Sequence, residues 1–363
     1  MIKNAYIHIP FCKSKCKYCS FVSFTDENQY LQDKYVESLI KEVNHYYKKD
    51  DLNTLYLGGG TPSLLTLKNL SKIISLFKFE TNAEITFEAN PDDLKKDYIK
   101  TIKSFGINRV SMGAQSFDDE ILKQIGRRHS AKDIFESIEL LQDSGIENIS
   151  IDLIYGLPGQ DIKKIEKDIA KITSLNIQHV SLYGLKIEEP SYFFYNLPEN
   201  LPDEDMQADM YEIICEKLPK YGFMQYEISN FAKSGYESKH NLNYWNNNTY
   251  YGFGLSAHGY VDDIRYSNQF VFEDYFKNPL LHKEEKTLSL EEKLEEEIFL
   301  GFRKIAGIDL LSINKKYGID FEEKYSTILS KYCPDYIVKS DFGYRLAQKG
   351  ILLSNIILAD FLH

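Results

Sequence analysis

Short runs of β-branched and aromatic residues alternate along this chain with longer segments in which apolar residues recur every three or four positions. An apolar period of two marks a strand, and a period near 3.6 marks an amphipathic helix. Strand runs fall at 5–9, 54–57, 84–88, 109–112, 148–154 and 179–185. Between them the spacing predicts helices over 29–47, 67–77, 92–104, 132–144 and 162–174. Strand and helix in alternation are the pattern of βα units wound around a parallel sheet. Beyond residue 190 the pattern loosens into a Pro- and Asn-bearing stretch, a helix over 205–218 and an aromatic, glycine-rich region reaching Tyr260. A segment dense in Glu and Lys, 283–297, then opens a helical module, in which 339–350 resembles a winged-helix-like hairpin and helix. The expected division is 1–190 as the βα core, 191–282 as an extension of it and 283–363 as a C-terminal module. The expected fold class is α/β, a partial (β/α)6 TIM-like barrel with a small, mainly helical C-terminal domain.

Chain length agrees with that division, since 363 residues suffice for one large α/β domain and an appendage. Charge narrows the partners. With 43 Lys and Arg against 54 Asp and Glu, the net charge is −11, so no chain-wide positive field gathers phosphates and nucleic acid is not expected. The N-terminus enters a strand pattern at once, with no apolar leader, which predicts a cytoplasmic protein. No apolar run reaches the roughly 18 residues that span a bilayer, leaving a peripheral contact at the inner face of the membrane open. Of five cysteines, three crowd into eight residues, which suits a reducing compartment and a metal better than disulfides. Cys215 and Cys333 read as ordinary thiols.

In βα architectures, chemistry collects at the C-terminal ends of the strands. Cys12, Cys16 and Cys19 follow the first strand run, and Gly58-Gly59-Gly60-Thr61-Pro62 follows the second. Glu88 and Asn90 close the third, Gln115 follows the fourth, and Asp152 with Gly156-Leu157-Pro158-Gly159 ends the fifth. Three thiolates on a cubane cluster leave one iron open to an exchangeable ligand, which the amino acid moiety of a small molecule can chelate. Lys13, Lys15 and Lys17 interleave the cysteines and are expected to hold them as thiolates. The alternative is structural zinc with His8 as a fourth ligand, although the usual second CxxC pair is absent. Taken singly, the glycine run is a tight turn, Glu88 a salt-bridged carboxylate, Arg127 part of a solvated basic cluster, and Tyr6 a cross-strand aromatic.

Taken together, CxxxCxxC after a strand resembles the radical SAM superfamily. Tyr6-Ile-His-Ile-Pro-Phe-Cys12, Gly58-Gly-Gly-Thr-Pro-Ser63 and Ile151-Asp-Leu-Ile-Tyr-Gly-Leu-Pro158 are similar to its oxygen-independent coproporphyrinogen III oxidase branch, over nearly the whole chain. The resemblance implies a radical SAM barrel, a [4Fe-4S] cluster on Cys12, Cys16 and Cys19, and S-adenosylmethionine (SAM) bound through Tyr6, Gly59, Gly60, Thr61, Glu88, Gln115, Arg127 and Asp152. It also implies reductive cleavage of SAM by the cluster.

Two departures separate the chain from the oxidases. They carry a further cysteine where Phe21 stands here, and an extension ahead of the motif. Both departures fit the shorter heme chaperones of the same branch, whose HNxxYW tract matches His240-Asn-Leu-Asn-Tyr244-Trp245. That resemblance implies heme as a further cofactor, with His240, Tyr244 and Trp245 as candidate contacts and His258 competing as the iron ligand. It implies respiratory hemoproteins, at the membrane surface, as acceptors. The alternative is an enzyme, a coproporphyrinogen III dehydrogenase that converts two propionates to vinyls, and a third class is a radical SAM enzyme on an unrelated substrate. Sequence leaves open whether the chain catalyses a reaction, and its oligomeric state.

Overall fold

The computed structural model describes residues 1–25 and 28–362; positions 26, 27 and 363, in the first and last expected segments, lie outside the described residues. All six strand runs form strands: β1 (Asn4–Ile9), β2 (Asp51–Gly59), β3 (Lys78–Ala89), β4 (Arg109–Gln115), β5 (Asn148–Tyr155) and β6 (His179–Gly184). They pair in parallel, in sequence order.

Each strand has one apolar lane. Ile7, Leu55, Leu57, Phe87, Val110, Ile151 and Val180 are fully buried in the main core beneath the outer helices. The alternate lane points to the opposite face and is polar: Tyr6 and His8, Thr54 and Tyr56, Glu84 and Glu88, Arg109 and Ser111, Ser150 and Asp152, His179 and Ser181. Register lines these groups up across strands, with Glu88 beside Ser111, Ser111 beside Ser150, and Ser150 beside His179. A parallel sheet covered on both faces ordinarily reads as unbroken apolar runs. Here alternation produces a curved sheet whose bore is polar.

Outside the sheet lie α1 (Gln29–Tyr46), α2 (Leu67–Ile74), α3 (Lys96–Ser104), α4 (Asp119–Gln124), α5 (Ala131–Asp143) and α6 (Ile162–Ser174). Five match expected helices, while α4 is too short for its period to register in the sequence. The third helix starts later than the expected residue 92, because Pro91–Asp93 forms a 3₁₀ turn and Leu94 and Lys95 are extended. Ser130 and Asp133 form a capping box at α5, satisfying two backbone donors reciprocally.

Beyond β6 come α7 (Tyr192–Tyr195), α8 (Glu204–Lys217), β7 (Met224–Gln225), β8 (Asn230–Ala232), α9 (Lys239–Trp245) and β9 (Tyr251–Phe253). The sheet grows to nine strands, β8 pairing antiparallel with β6 at one edge and β9 parallel with β1 at the other. A small antiparallel sheet, β10 (His258–Val261), β11 (Ile264–Ser267) and β12 (Glu284–Thr287), follows, with α10 (Phe272–Lys277) between the last two strands. The charged run from Lys283 therefore begins as an exposed edge strand and not as a helix. α11 (Leu290–Gly301) starts only after the Ser289 and Glu292 capping box. From Leu294 onward a second apolar cluster forms around helices such as Leu310–Tyr317, with the antiparallel hairpin of Ile337–Lys339 and Gly343–Leu346 leading into helix Gln348–Leu352. Among the described residues no helix is long and apolar enough to cross a membrane.

One buried carboxylate ties α1 to the strap beyond β9. Glu42 is fully buried and accepts hydrogen bonds from Gly254 N–H (2.9 Å), Asn268 Nδ2 (2.6 Å) and the Tyr275 hydroxyl (2.5 Å). Burial raises its pKa from the usual 4.5 to about 7. Between those values the native state holds a proton that the unfolded chain has lost, so stability falls as pH rises across that window. A Glu42→Gln variant is expected to flatten this slope, worth roughly 3 kcal/mol over the window, in urea midpoints compared at pH 5 and pH 8.

Candidate functional site

The chain leaves β1 through Phe11 and folds back so that Cys12 N–H donates to Phe24 O (2.9 Å) and Lys17 N–H to Ile125 O (3.0 Å). These bonds hold the cysteine loop over the C-terminal ends of the strands. Cys12, Cys16 and Cys19 line one cavity of about 460 Å³ there, all three with free thiols. Gly59, Gly60, Thr61, Glu88, Gln115, Arg127 and Asp152 line the same cavity, so all but one of the residues singled out beside the cysteines come together. The exception is Tyr6. It lies outside that wall, stacked on Tyr56 (centroids 6.1 Å apart) with its hydroxyl 3.1 Å from His8 Nδ1. Gly156 and Gly159 also lie outside the wall, packed near Gln207 and Asn200. Asn90, noted at the end of the third strand run, lines it too; Tyr56, Ser111 and Tyr183 line the cavity without having been singled out, and for Tyr56 and Ser111 the available signal was the polar lane of the strand pattern.

The expectation that the lysines hold the cysteines ionised is corrected. Burial pushes the Cys19 thiol up to about 11 and raises Cys12 as well, with Lys15 only a minor opposing influence at Cys19. Lys13 is drawn off to Asp93 (2.5 Å), and Lys17 lies over the Tyr192 ring. Among the groups that do reach sulfur are Arg127, whose NH1 is 3.4 Å from Cys16 Sγ, and Thr61, whose Oγ1 is 3.5 Å from Cys12 Sγ. Desolvation outweighs the exposed charges because solvent screens a lysine at the mouth and not the buried sulfur.

These sulfurs suit an iron-sulfur cluster. Among the described residues no three His, Cys, Asp or Glu side chains converge closely enough to hold a single ion. His8, the fourth ligand of the zinc alternative, has Nε2 on Val22 O (2.9 Å) and Nδ1 on the Tyr6 hydroxyl. Arg127 is half-buried beside the thiols, bonded to Asn90 Oδ1 (2.6 Å) and to Gly113 O, yet its buried Nε has no partner. An unmet buried donor in a cavity wall suits a ligand that completes it.

Across the cavity, Glu88 accepts from the Tyr56 hydroxyl (2.8 Å) and from Gly59 N–H (3.0 Å), and burial raises its pKa to about 7. Asp152 accepts from Ser111 Oγ (2.9 Å), its pKa raised by burial as well. Each carboxylate keeps acceptor capacity for N–H or O–H groups of a ligand. Gln115 enters the wall through a bulge between β4 and β5 and adopts φ +68°. The glycine run serves packing as well as access. Gly59 has φ +112° and a Cβ there would lie 2.6 Å from the His8 ring, while a Cβ on Gly60 would lie 2.7 Å from Phe11 O. Gly59 makes room for the His8 ring of β1, and Gly60 lets the chain entering the cysteine loop rest against the end of β2.

The His240 tract sits at the other end of the bore. α9 meets the N-terminal ends of the strands, where Lys239 N–H and His240 N–H donate to Glu84 and Asn4 Nδ2 donates to Asn243 Oδ1. His240 is 1% exposed, with Nδ1 2.7 Å from Thr54 Oγ1 and Nε2 2.8 Å from the Tyr244 hydroxyl. Burial lowers its pKa to about 3, so the ring is neutral. Trp245 is half-buried, and Tyr244 faces a groove against α11. His258 is exposed at the start of β10, its ring 6.4 Å from that of Phe270. The four residues therefore do not form one site. Replacing His240 by Ala removes two buried hydrogen bonds and leaves a void, so a loss of about 2–4 kcal/mol in stability is expected by urea unfolding. Gly60→Ala is expected to lower iron retention after reconstitution, by displacing the cysteine loop.

Known proteins share this arrangement. Residues 6–172 match the model of the radical SAM superfamily, and residues 288–353 match the HemN C-terminal domain. A protein of Bacillus subtilis named heme chaperone HemW is 39% identical, the match covering 99% of each chain. Its namesake in Lactococcus lactis is 38% identical, over 99% of this chain and 97% of that one. The solved structure of the coproporphyrinogen III oxidase HemN of Escherichia coli superimposes with a TM-score of 0.87 at 22% identity, over 99% of this chain and 90% of that one, a likeness of fold. With a cysteine-lined cavity at the mouth of a βα half-barrel and full-length likeness above 30% identity, the chain belongs to the HemW heme chaperone family of the radical SAM superfamily.

Proposed function

We propose that this chain is a heme chaperone that binds heme, holds a [4Fe-4S] cluster with SAM, and passes heme to acceptor hemoproteins. The observation that carries the reading is the three-thiol cavity in a chain whose whole length resembles proteins named heme chaperone. Cys12, Cys16 and Cys19 hold the cluster, and Arg127, donating toward Cys16 Sγ, offsets the negative charge of the thiolates. Such a cluster supplies single electrons to SAM. Gly59, Gly60 and Thr61 would hold SAM together with Glu88, Gln115, Arg127 and Asp152, whose donors and acceptors would suit its ribose, carboxylate or adenine groups. Tyr6, in register with Tyr56 on the neighbouring strand, acts by packing against Tyr56, whose hydroxyl orients Glu88. The bore below is filled by the chain's own hydrogen bonds, which keeps bulk water from the cavity floor.

Phe21, 67% exposed at the cavity wall, stands where the oxidases carry a cysteine, which favours transport over decarboxylation. Heme handed over in the cytoplasm, at the inner membrane face, to respiratory hemoproteins suits a chain in which no described helix crosses a membrane.

Anaerobic reconstitution is expected to give about four irons per chain, a content lost in Cys16→Ala, and to restore a visible iron-sulfur band. SAM is expected to perturb the electron paramagnetic resonance of the reduced cluster, with at least tenfold weaker SAM binding in Glu88→Gln. Hemin titration is expected to give a Soret band. Absence of that band, or formation of protoporphyrinogen from coproporphyrinogen under anaerobic turnover, overturns the chaperone reading.

A further inference from the structure

An asparagine just ahead of a helical turn ordinarily caps it, its side chain accepting a backbone N–H. Asn90 precedes the 3₁₀ turn Pro91–Asp93 at the end of β3 and makes no such bond. Its amide is spent in the cavity wall instead. Oδ1 accepts from Arg127 NH2 (2.6 Å), and Nδ2 donates to Thr61 Oγ1 (3.2 Å). A guanidinium offers no acceptor, so only the amide oxygen can face Arg127, and the amide N–H groups are left to Thr61.

Both partners reach sulfur. Arg127 NH1 lies 3.4 Å from Cys16 Sγ, and Thr61 Oγ1 lies 3.5 Å from Cys12 Sγ. A threonine hydroxyl has a single proton. Because Asn90 donates to Thr61 Oγ1, that proton is left for Cys12. Because Asn90 also takes one arm of the Arg127 fork, the other arm is held at Cys16. Asn90, Thr61, Arg127, Cys12 and Cys16 all line the same cavity.

The turn that carries Asn90 is pinned at its far end to the same segments. Asp93, its side chain 2% exposed, accepts from Lys13 Nζ (2.5 Å) and from Ser63 Oγ (3.1 Å). Lys13 lies between Cys12 and Cys16, and Ser63 follows Thr61 by two residues. Arg128, next to Arg127, pairs with Asp92 (2.5 Å), and Ser137 Oγ donates to Pro91 O (2.8 Å). The cysteine loop, the end of the glycine run and the Arg127 segment therefore converge on one short turn, and its asparagine has little freedom to move.

We propose that Asn90 is a positioning residue for the cluster: it aims the Thr61 hydroxyl at Cys12 and the Arg127 guanidinium at Cys16, and so sets the potential at which the cluster accepts an electron. The assignment rests on the cluster reading above. Reduction adds negative charge, and donors on the ligating sulfurs stabilise that charge, so each such hydrogen bond raises the potential.

The test is the midpoint potential of the reconstituted full chain without SAM, read by redox titration monitored by electron paramagnetic resonance, together with iron content. Thr61→Val removes the hydroxyl at nearly constant volume, and the reduced-to-oxidised ratio at fixed potential is expected to fall roughly threefold, about 28 mV for one electron. Asn90→Leu removes both contacts without adding charge, and a fall of roughly tenfold, about 59 mV, is expected with iron per chain unchanged. Asn90→Asp keeps the acceptor for Arg127 but draws the Thr61 proton away from Cys12. In that background Thr61→Val is expected to change the ratio by less than about 1.5-fold, a comparison in which the added carboxylate cancels. An Asn90→Leu cluster at the wild-type potential overturns the assignment, as does an equal Thr61→Val shift in both backgrounds. If Asn90→Leu takes up no iron, the comparison in Asn90→Asp decides alone. Loss of iron from both Asn90 variants makes the residue a scaffold of the loop, which also overturns the assignment. A wild type that takes up no iron overturns the cluster reading itself.

Discussion

Strict alternation along β1 to β6 is the constraint on which the rest of the structure depends. One lane gives every strand an apolar face for the helices, and the other delivers acids, hydroxyls, imidazoles and a guanidinium into the bore. A register slip of one residue in any strand would bury charge under the helices and turn apolar groups inward, so the core and the cavity are specified together. Polar groups removed from water must bond to one another or to a ligand. Toward the bottom Glu84, Thr54, His240, Ser150 and His179 bond to neighbouring groups, while Arg109 Nε and Thr86 Oγ1 stay unmet. At the top Arg127 keeps an unmet donor, and the carboxylates keep acceptor capacity.

That division explains why the two ends of the bore have different characters. The N-terminal end is closed by α9, whose first two backbone donors are taken by Glu84 and whose His240 bridges Thr54 and Tyr244. Tyr56 links the ends, donating to Glu88 above while its ring lies 5.1 Å from that of His240 below. The tract that most distinguishes this chain in sequence is thus a plug whose perfection as a hydrogen-bonding hub leaves no free imidazole nitrogen. Its effect on the cavity passes through Tyr56.

At the top, competition between burial and charge decides the state of the cysteines. Three lysines within eight residues look sufficient to ionise three thiols, yet one is paired with Asp93, one rests on a ring, and solvent screens what remains. Burial raises Cys12 and Cys19, so these two thiols resist ionisation until a metal takes the proton's place. Arg127 is the exception, because it is as buried as the sulfur it meets.

How much of this was legible in the sequence follows from the range of the interactions. Periodicity gave six strands and five helices because burial on one face is repeated at every second or fourth residue, and a local signal survives without knowledge of the partner. The cysteine spacing, the glycine run and the strand-end carboxylates were legible for the same reason, since βα topology sends every strand end to one face. The short α4, the edge strand at Glu284–Thr287 and the late start of α3 were not, since their pairing or turn geometry outweighs local composition. By itself the sequence determined the strand order, the face on which chemistry gathers and the metal that three clustered thiols suit. Only the tertiary structure decided that Tyr6 lies outside the cavity wall, that Lys13 and Lys17 are diverted from the thiols, and that His240 is sealed at the opposite end. Exposure, hydrogen-bond partners and distance across the bore depend on residues hundreds of positions apart, and no local pattern encodes them.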